Sequence, residues 1–208
     1  MRVFLYPLGF HEHAAVRLLV EYRASRDDRL VVFTCSPLSA GSRSAFESLR
    51  AVAAAQGFPE PELVLVNCSD YFESFGVVKK YLARFDGEFV LEIGTGPRFI
   101  SHVVTHVLMF LRRDFSVHYQ PETGVDTPTG VSARFLEIVL NGLSSSEIEV
   151  LKALGADGAS IAELARVLGK SEKTVRNIVS MLRSKGLVEK SGRSERVCLT
   201  RAGRALVA

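Results

Sequence analysis

A chain of 208 residues with 47% apolar and 24% charged side chains has enough core-forming material for one large or two small domains, which excludes a disordered or fibrous polymer. Its net charge of +3 is unevenly divided, the last 65 residues carrying +5 and the remainder −2. That asymmetry predicts a basic module that meets a polyanion, joined to a body that does not. Cys35, Cys68 and Cys198 lie far apart and form no CxxC pair, so they read as buried thiols in a reducing compartment, with neither a disulfide framework nor a zinc site. The N-terminus lacks the apolar segment and cleavage site of a signal peptide, and no apolar run reaches the roughly 18 residues of a membrane span. A cytoplasmic protein with no membrane partner is expected.

Arg2 to Tyr6 reads as a first strand, after which Pro7, Leu8, Gly9 and Phe10 turn the chain into a helix from about His11 to Ser25. Leu30 to Cys35 is a second strand, and Ser36 to Ser44 a small polar segment before a helix with Phe46, Leu49, Val52 and Ala53 on its apolar face. Leu63 to Asn67 and Tyr71 to Phe85 form a third strand and helix. Glu88 to Ile93 is a fourth strand, Pro97 to Arg113 a helix apolar almost all round, and Phe115 to Tyr119 a fifth strand. Repeated strand–helix units with short loops predict an α/β fold, a mainly parallel sheet with helices on both faces. The apolar fourth helix invites a partner subunit. Ser132 to Leu140 suits either a sixth strand or a short helix, and the strand is preferred. Asn141-Gly142 marks the expected boundary between domains 1–141 and 142–208.

Ligands of such sheets bind beyond the carboxyl ends of the strands. Two turns stand there, PLGF after the first strand and GTGPR after the fourth. Gly94 and Gly96 let another molecule approach the backbone, Pro97 suits a first helical position, and Arg98 stands where free amide donors already make a cation unfavourable for the helix alone. A bound phosphate reconciles these features, although a corner needing glycine only for packing would also account for the glycines. The first turn is not GxGxxG, which argues against a nicotinamide-sensing Rossmann site. His11 is a candidate ligand contact or a cap, and Arg43 a third anion contact or an ordinary surface arginine. His102 and His106 have a metal-capable spacing without a third ligand nearby, so a core or interface pair is the expectation and no metal is assigned.

In the basic module, Ser144 with Glu147 and Ser160 with Glu163 are capping boxes ahead of apolar helices. Ser171 opens a third helix in which Val175, Ile178, Val179 and Leu182 share one face and Lys173, Thr174, Arg176, Asn177, Ser180 and Arg183 the other. A hairpin with the turn KSGRSE follows. This is the pattern of a winged helix-turn-helix, with the third helix in the DNA major groove, Arg176 and Asn177 suited to base edges, and Lys190, Arg193 and Arg196 reaching phosphates.

The pairing of LGF at 8–10 with GTGPR at 94–98, the intervening SPLSAGSRSAFESLR and the later ELARVLGKSEKTV resemble the CRISPR-associated CARF and winged-helix transcription regulators of the Csa type. The resemblance implies a Rossmann-like CARF domain that senses ligand and dimerises, followed by a winged-helix domain that binds double-stranded DNA. It implies a homodimer with no cofactor but with a regulatory ligand, cyclic oligoadenylate and notably cyclic tetra-adenylate, bound across the two-fold axis. By motif, Leu8, Gly9, Phe10, His11 and Glu12 would form the first ligand turn, and Gly94, Thr95, Gly96, Pro97 and Arg98 the second. The alternative is a slow ring nuclease in which Thr95 and Arg98 position a 2′-hydroxyl against the adjacent phosphate; no Ser-His-Asp or paired-carboxylate set supports fast chemistry.

Overall fold

A computed structural model describes residues 1–119, 129–155, 157–190 and 196–207. The chain divides into two compact units, Met1–Ala133 and Arg134–Ala208.

The first unit contains β1 (Arg2–Pro7), α1 (His13–Glu21), β2 (Arg29–Cys35), α2 (Ala40–Gln56), β3 (Pro61–Val66), α3 (Tyr71–Leu82), β4 (Glu88–Glu92), α4 (Arg98–Phe110), β5 (Phe115–Tyr119) and β6 (Thr129–Ser132). The sheet runs β3-β2-β1-β4-β5-β6, with β1 to β5 parallel and β6 antiparallel to β5. Strands with continuous apolar runs form its centre: Val3 to Tyr6, Leu30 to Phe33 and Phe89 to Leu91 are fully buried, as the two-sided burial of a parallel sheet requires. Phe4, Tyr6, Val32 and Val90 share a core with Ala14, Leu18 and Leu19 of α1 and Phe46 and Leu49 of α2. The chain leaves β1 toward β2 and β3 on one side, then resumes at β4 on the other side. The carboxyl ends of β1 and β4 are therefore adjacent, at the point where the winding direction reverses, and the two glycine-bearing turns meet there.

Three expectations need correction. First, the sixth strand is only Thr129–Ser132, and residues 133–141 form α5 (Ala133–Asn141). Ile138 is 6% exposed while Val139 and Leu140 are 60% and 67% exposed, and Phe135 packs with Ile138 into one core, a helical rather than alternating period. Second, that core belongs to the second unit, so the division falls ahead of α5 and not at Asn141-Gly142. Third, Cys35 and Cys68 are joined as a disulfide, their Cα atoms 5.4 Å apart. Cys35 is opposite Val66 in the β2–β3 register, which brings the residue just beyond β3 alongside it despite 33 residues of separation.

The second unit adds α6 (Ser145–Leu154), α7 (Ile161–Leu168), α8 (Glu172–Ser184), β7 (Val188–Lys190), β8 (Val197–Leu199) and α9 (Arg201–Ala205), the last not anticipated. Both capping boxes form, and Ser171 Oγ accepts the Thr174 N–H to start α8. Val150, Leu151, Leu164, Val175, Ile178, Val179 and Leu182 make a common core with the hairpin residues Val188, Val197 and Leu199. Three helices, α6 to α8, followed by an antiparallel hairpin make the winged-helix order.

The disulfide closes a long loop, so opening it restores chain entropy to the unfolded state. Reduction, or Cys68→Ser, should lower the unfolding free energy by about 3–4 kcal/mol, read as the difference between urea unfolding curves of the oxidised and reduced protein.

Candidate ligand cleft and nucleic-acid interface

Backbone approach dominates the meeting of the two turns. Gly96 has φ +76°, and a Cβ added there would lie 2.0 Å from the Pro7 carbonyl oxygen, while one added at Gly9 would lie 3.2 Å from the Gly96 Cα. Only glycine allows this contact at position 96. Leu8 is buried below it: its N–H donates to the Phe33 carbonyl at 2.8 Å, and its own carbonyl accepts the Thr34 hydroxyl at 3.0 Å. On the other side, Gly94 N–H donates to Glu92 Oε1 at 2.7 Å.

The turns open onto a cleft of about 530 Å³. Gly9, Phe10, His11, Gly96 and Pro97 form one wall, and Thr34, Cys35, Pro37, Ser39 and Ser42 the other. That second wall was missed in the sequence, where only the small polar run Ser36 to Ser44 hinted at it. Phe10 is 69% exposed and its ring lies over Gly41, where an added Cβ would come within 2.6 Å of the ring. Arg43 is exposed and is not part of the cleft wall.

The remaining turn residues are placed differently. Glu12 turns toward α2, accepting the Ser48 hydroxyl at 2.9 Å, with His13 Nδ1 3.4 Å away. Burial alone would raise its pKa, but hydrogen bonds from its own backbone and Ser48 and the nearby histidines hold the carboxyl below its ordinary value. Thr95 directs its hydroxyl inward, 2.9 Å from Glu92 Oε2 and 3.2 Å from the Tyr6 hydroxyl. Pro97 is not the first helical residue: with ψ 117° it is the N-cap, its carbonyl accepting the Ile100 and Ser101 amides, and Arg98 begins α4. Arg98 is exposed and makes no ion pair among the described residues.

The outer faces of α3 and α4 are unusually aromatic. Phe72 is 85% and Phe110 63% exposed, and Tyr71 contacts the rings of Phe72, Phe75, Phe99 and His106. The apolar ring around α4 is thus one buried face, Ile100, Val103, Val104, Val107 and Leu108, and one exposed face with Phe110, His102 and His106. His106 Nδ1 is 2.8 Å from the Tyr71 hydroxyl, and among the described residues no cluster of three potential ligands could hold a metal ion. No helix among the described residues is long and apolar enough to cross a membrane.

In the second unit, Lys173, Thr174, Arg176, Asn177 and Ser180 are all exposed on α8. A groove of about 620 Å³ runs between the start of α7, α8 and the hairpin, lined among others by Arg176, Ser180, Arg183 and Lys190. Arg183 had not been assigned to the interface, although its place on the polar face of α8 was legible. Arg196 is partly occupied, donating to the Gly158 carbonyl at 2.8 Å with Glu163 3.8 Å away. Arg193 lies outside the described residues.

Comparison with known proteins gives two family matches, one relative by sequence and two solved structures, four findings when the family matches are taken together. Residues 2–132 match the family described as the Csa3 CRISPR-associated Rossmann-like domain, and residues 142–201 match a model described as HVO_A0114. The chain is 27% identical over 204 residues to Csa3 of Saccharolobus solfataricus, a CRISPR locus-related protein named for DNA binding, covering 98% of this chain and 86% of that one. It resembles in fold Enterococcus italicus Csm6 bound to cyclic hexa-2′-fluoro-hexa-dAMP, at 13% identity and a TM-score of 0.51, over 89% of this chain and 52% of that one. The fourth is Can2 of Sulfobacillus thermosulfidooxidans in complex with cyclic tetra-adenylate, at 10% identity and a TM-score of 0.46, over 100% of this chain and 64% of that one. This chain therefore spans about half the length of the Csm6 chain and just under two thirds of the Can2 chain.

Gly96→Ala tests the turn contact. A left-handed backbone and a collision with the Pro7 carbonyl should cost about 2 kcal/mol or more of folding stability, read by urea unfolding. Gly142→Ala, also at positive φ but with open space around it, should cost less because it adds no collision.

Proposed function

The chain belongs to the Csa3 CRISPR-associated Rossmann-like domain family, and from that premise we propose a ligand-responsive transcription regulator. Its first unit binds cyclic oligoadenylate, specifically cyclic tetra-adenylate, at a homodimer, and its second binds double-stranded DNA. The carrying observation is the pair of abutting turns beside the exposed Arg98, which makes no ion pair among the described residues, and the start of α4. Two backbones close enough to exclude side chains, with a cation at the start of a helix, suit a phosphate-bearing ligand. The partly apolar cleft beside them, with Phe10 at its rim, offers a surface for a base.

Dimerisation is supported by the exposed aromatic side chains Phe72 on α3 and Phe110 on α4, which a partner copy would cover. A symmetric ligand would then be held by both copies, one per dimer. DNA binding is supported by the winged-helix order, by the exposed α8 face and by the basic groove beside it, and it agrees with the name of the Saccharolobus relative. Binding without cleavage is favoured over a slow ring nuclease because the Thr95 hydroxyl is engaged by Glu92 and Tyr6 rather than turned to the cleft.

Calorimetric titration of the purified protein with cyclic tetra-adenylate should give one ligand per two chains. Arg98→Ala should weaken it about 10- to 100-fold, the value of a lost charge-assisted phosphate contact. Absence of binding to the unmodified protein would reject the ligand. For the DNA unit, Arg176→Ala should lose about 1–3 kcal/mol of discrimination between operator and unrelated duplex, measured by fluorescence anisotropy at fixed salt.

A further inference from the structure

Among the described residues three carboxylic side chains are buried: Asp28, Glu92 and Glu147. Asp28 pairs with Arg2 and Glu147 with Lys185. In both, burial pushes the proton affinity up, but the hydrogen bonds and the cation prevail and leave the carboxyl below its ordinary value. Glu92 is wholly buried, yet among the described residues no cationic side chain forms an ion pair with it.

Its hydrogen-bond geometry is a problem in counting protons. Oε1 accepts the Gly94 N–H at 2.7 Å and so remains an acceptor. Oε2 is 2.9 Å from Thr95 Oγ1, Thr95 Oγ1 is 3.2 Å from the Tyr6 hydroxyl, and that hydroxyl is 2.9 Å from the His11 carbonyl oxygen. Three oxygen-to-oxygen contacts in series require three protons. Thr95 and Tyr6 bring one each, and the carbonyl brings none. If Glu92 is ionised, it accepts the Thr95 hydroxyl, Tyr6 donates to the His11 carbonyl, and the 3.2 Å contact between Thr95 and Tyr6 closes on facing lone pairs. A proton on Oε2 fills every contact in one direction, from Glu92 to Thr95 to Tyr6 to the His11 carbonyl.

We propose that Glu92 is held as the neutral acid and supplies the third proton of a relay that locks the two turns of the ligand cleft to each other. The relay starts below the turn after β4 and ends on the backbone of the turn after β1, so its occupancy fixes their relative position. Burial of the carboxyl acts in the same direction, raising its proton affinity over the hydrogen bonds that the Thr95 hydroxyl and the Gly94 and Thr95 amides would donate to the ionised form.

The other charged and titratable groups around Glu92 do not replace it as the proton donor. On β1, the Tyr6 phenol is pushed up to about 12, mainly by burial, with the Thr95 hydrogen bond opposing. His118, opposite Glu92 in the β4–β5 register, is held toward neutral imidazole by burial, with Glu21 at the end of α1 acting the other way from 3.5 Å. Glu12, at the start of α1, is ionised and bound to Ser48. Arg98 at the start of α4 is exposed.

The sign follows. With the folded-state proton affinity raised, the stabilisation is complete below the ordinary carboxylate range and fades as pH rises through the folded-state value. Ionisation removes the relay's third proton and puts a negative charge beneath the turn assigned to phosphate. Anion affinity should therefore fall with the proton. This consequence rests on the cyclic oligoadenylate reading; the relay itself does not.

Infrared spectroscopy of the full chain over a pH series, for the unmodified protein and Glu92→Gln, reads the C=O stretch of a protonated carboxylic acid. Calorimetry gives the affinity of each for cyclic tetra-adenylate. The proposal expects an acid band at neutral pH that Glu92→Gln lacks, and an unmodified-protein affinity that falls about tenfold or more as the band vanishes. Glu92→Gln, which keeps an acceptor for Gly94 and a donor for Thr95, should show no such pH dependence. Because Asp28 and Glu147 stay ionised beside their cations, a neutral-pH acid band points to Glu92 even if the variant fails to fold. Carboxylate bands alone at neutral pH would overturn the proposal, as would a Glu92→Gln protein with the original pH profile. An acid band without binding of cyclic tetra-adenylate by either protein would uphold the relay and reject the ligand.

Discussion

The contact between the Gly96 backbone and the Pro7 carbonyl sets the geometry of the first unit. Two loops from neighbouring strands can abut this closely only where one of them has no side chain and a left-handed backbone, and the parallel sheet supplies that adjacency by placing β1 beside β4. The cleft is a consequence: once the turns are fixed, the end of β2 and the first turn of α2 are left facing them across a gap. The hydrogen bonds of Tyr6, Thr95 and Glu92 tie the same two turns together from below. Steric fit and polar connection thus act on one pair of loops, as expected of a binding site that must be in place before its ligand arrives.

The second unit meets a different requirement. Its helices are short, and their stability depends on caps and a shared core rather than on length. Ser144, Ser160 and Ser171 each satisfy an amide at a helix start, and the four apolar residues of α8 bury one face so that the opposite face stays in water. This leaves Lys173 and Asn177 exposed on that face, with Arg176 exposed beside Glu172 at 3.8 Å. Where a basic residue is drawn into internal contacts, as Arg196 is by the Gly158 carbonyl and Glu163, less of its charge is offered outward.

The parts legible in the sequence are those with a local physical signature. Continuous apolar runs marked the five parallel strands, capping boxes marked α6 and α7, and glycine with proline and arginine marked the second turn. What escaped depends on residues brought together by pairing. Cys35 and Cys68 meet only because β2 and β3 lie in a particular register, and Thr34, Pro37 and Ser42 join the cleft only because β2 is next to β1. Ser132 to Leu140 was ambiguous because Phe135, Ile138 and Val139 fit two periods, and burial against the second unit's core decided for a helix over 133–141. Glu92 gave no warning at all: a glutamate at the end of a strand reads as solvent-facing, and only the fold places it under the turn.

The proposed function has occupancy of the cleft transmitted to the second unit as a change in its DNA affinity, a coupling that must act equally in both directions. Its most direct measurement is the affinity of the full chain for an operator duplex with and without saturating cyclic tetra-adenylate, at one salt concentration. The account predicts a ligand-dependent change of about fivefold or more, lost in Arg98→Ala. An operator affinity that stays the same while calorimetry shows the cleft filled would contradict it.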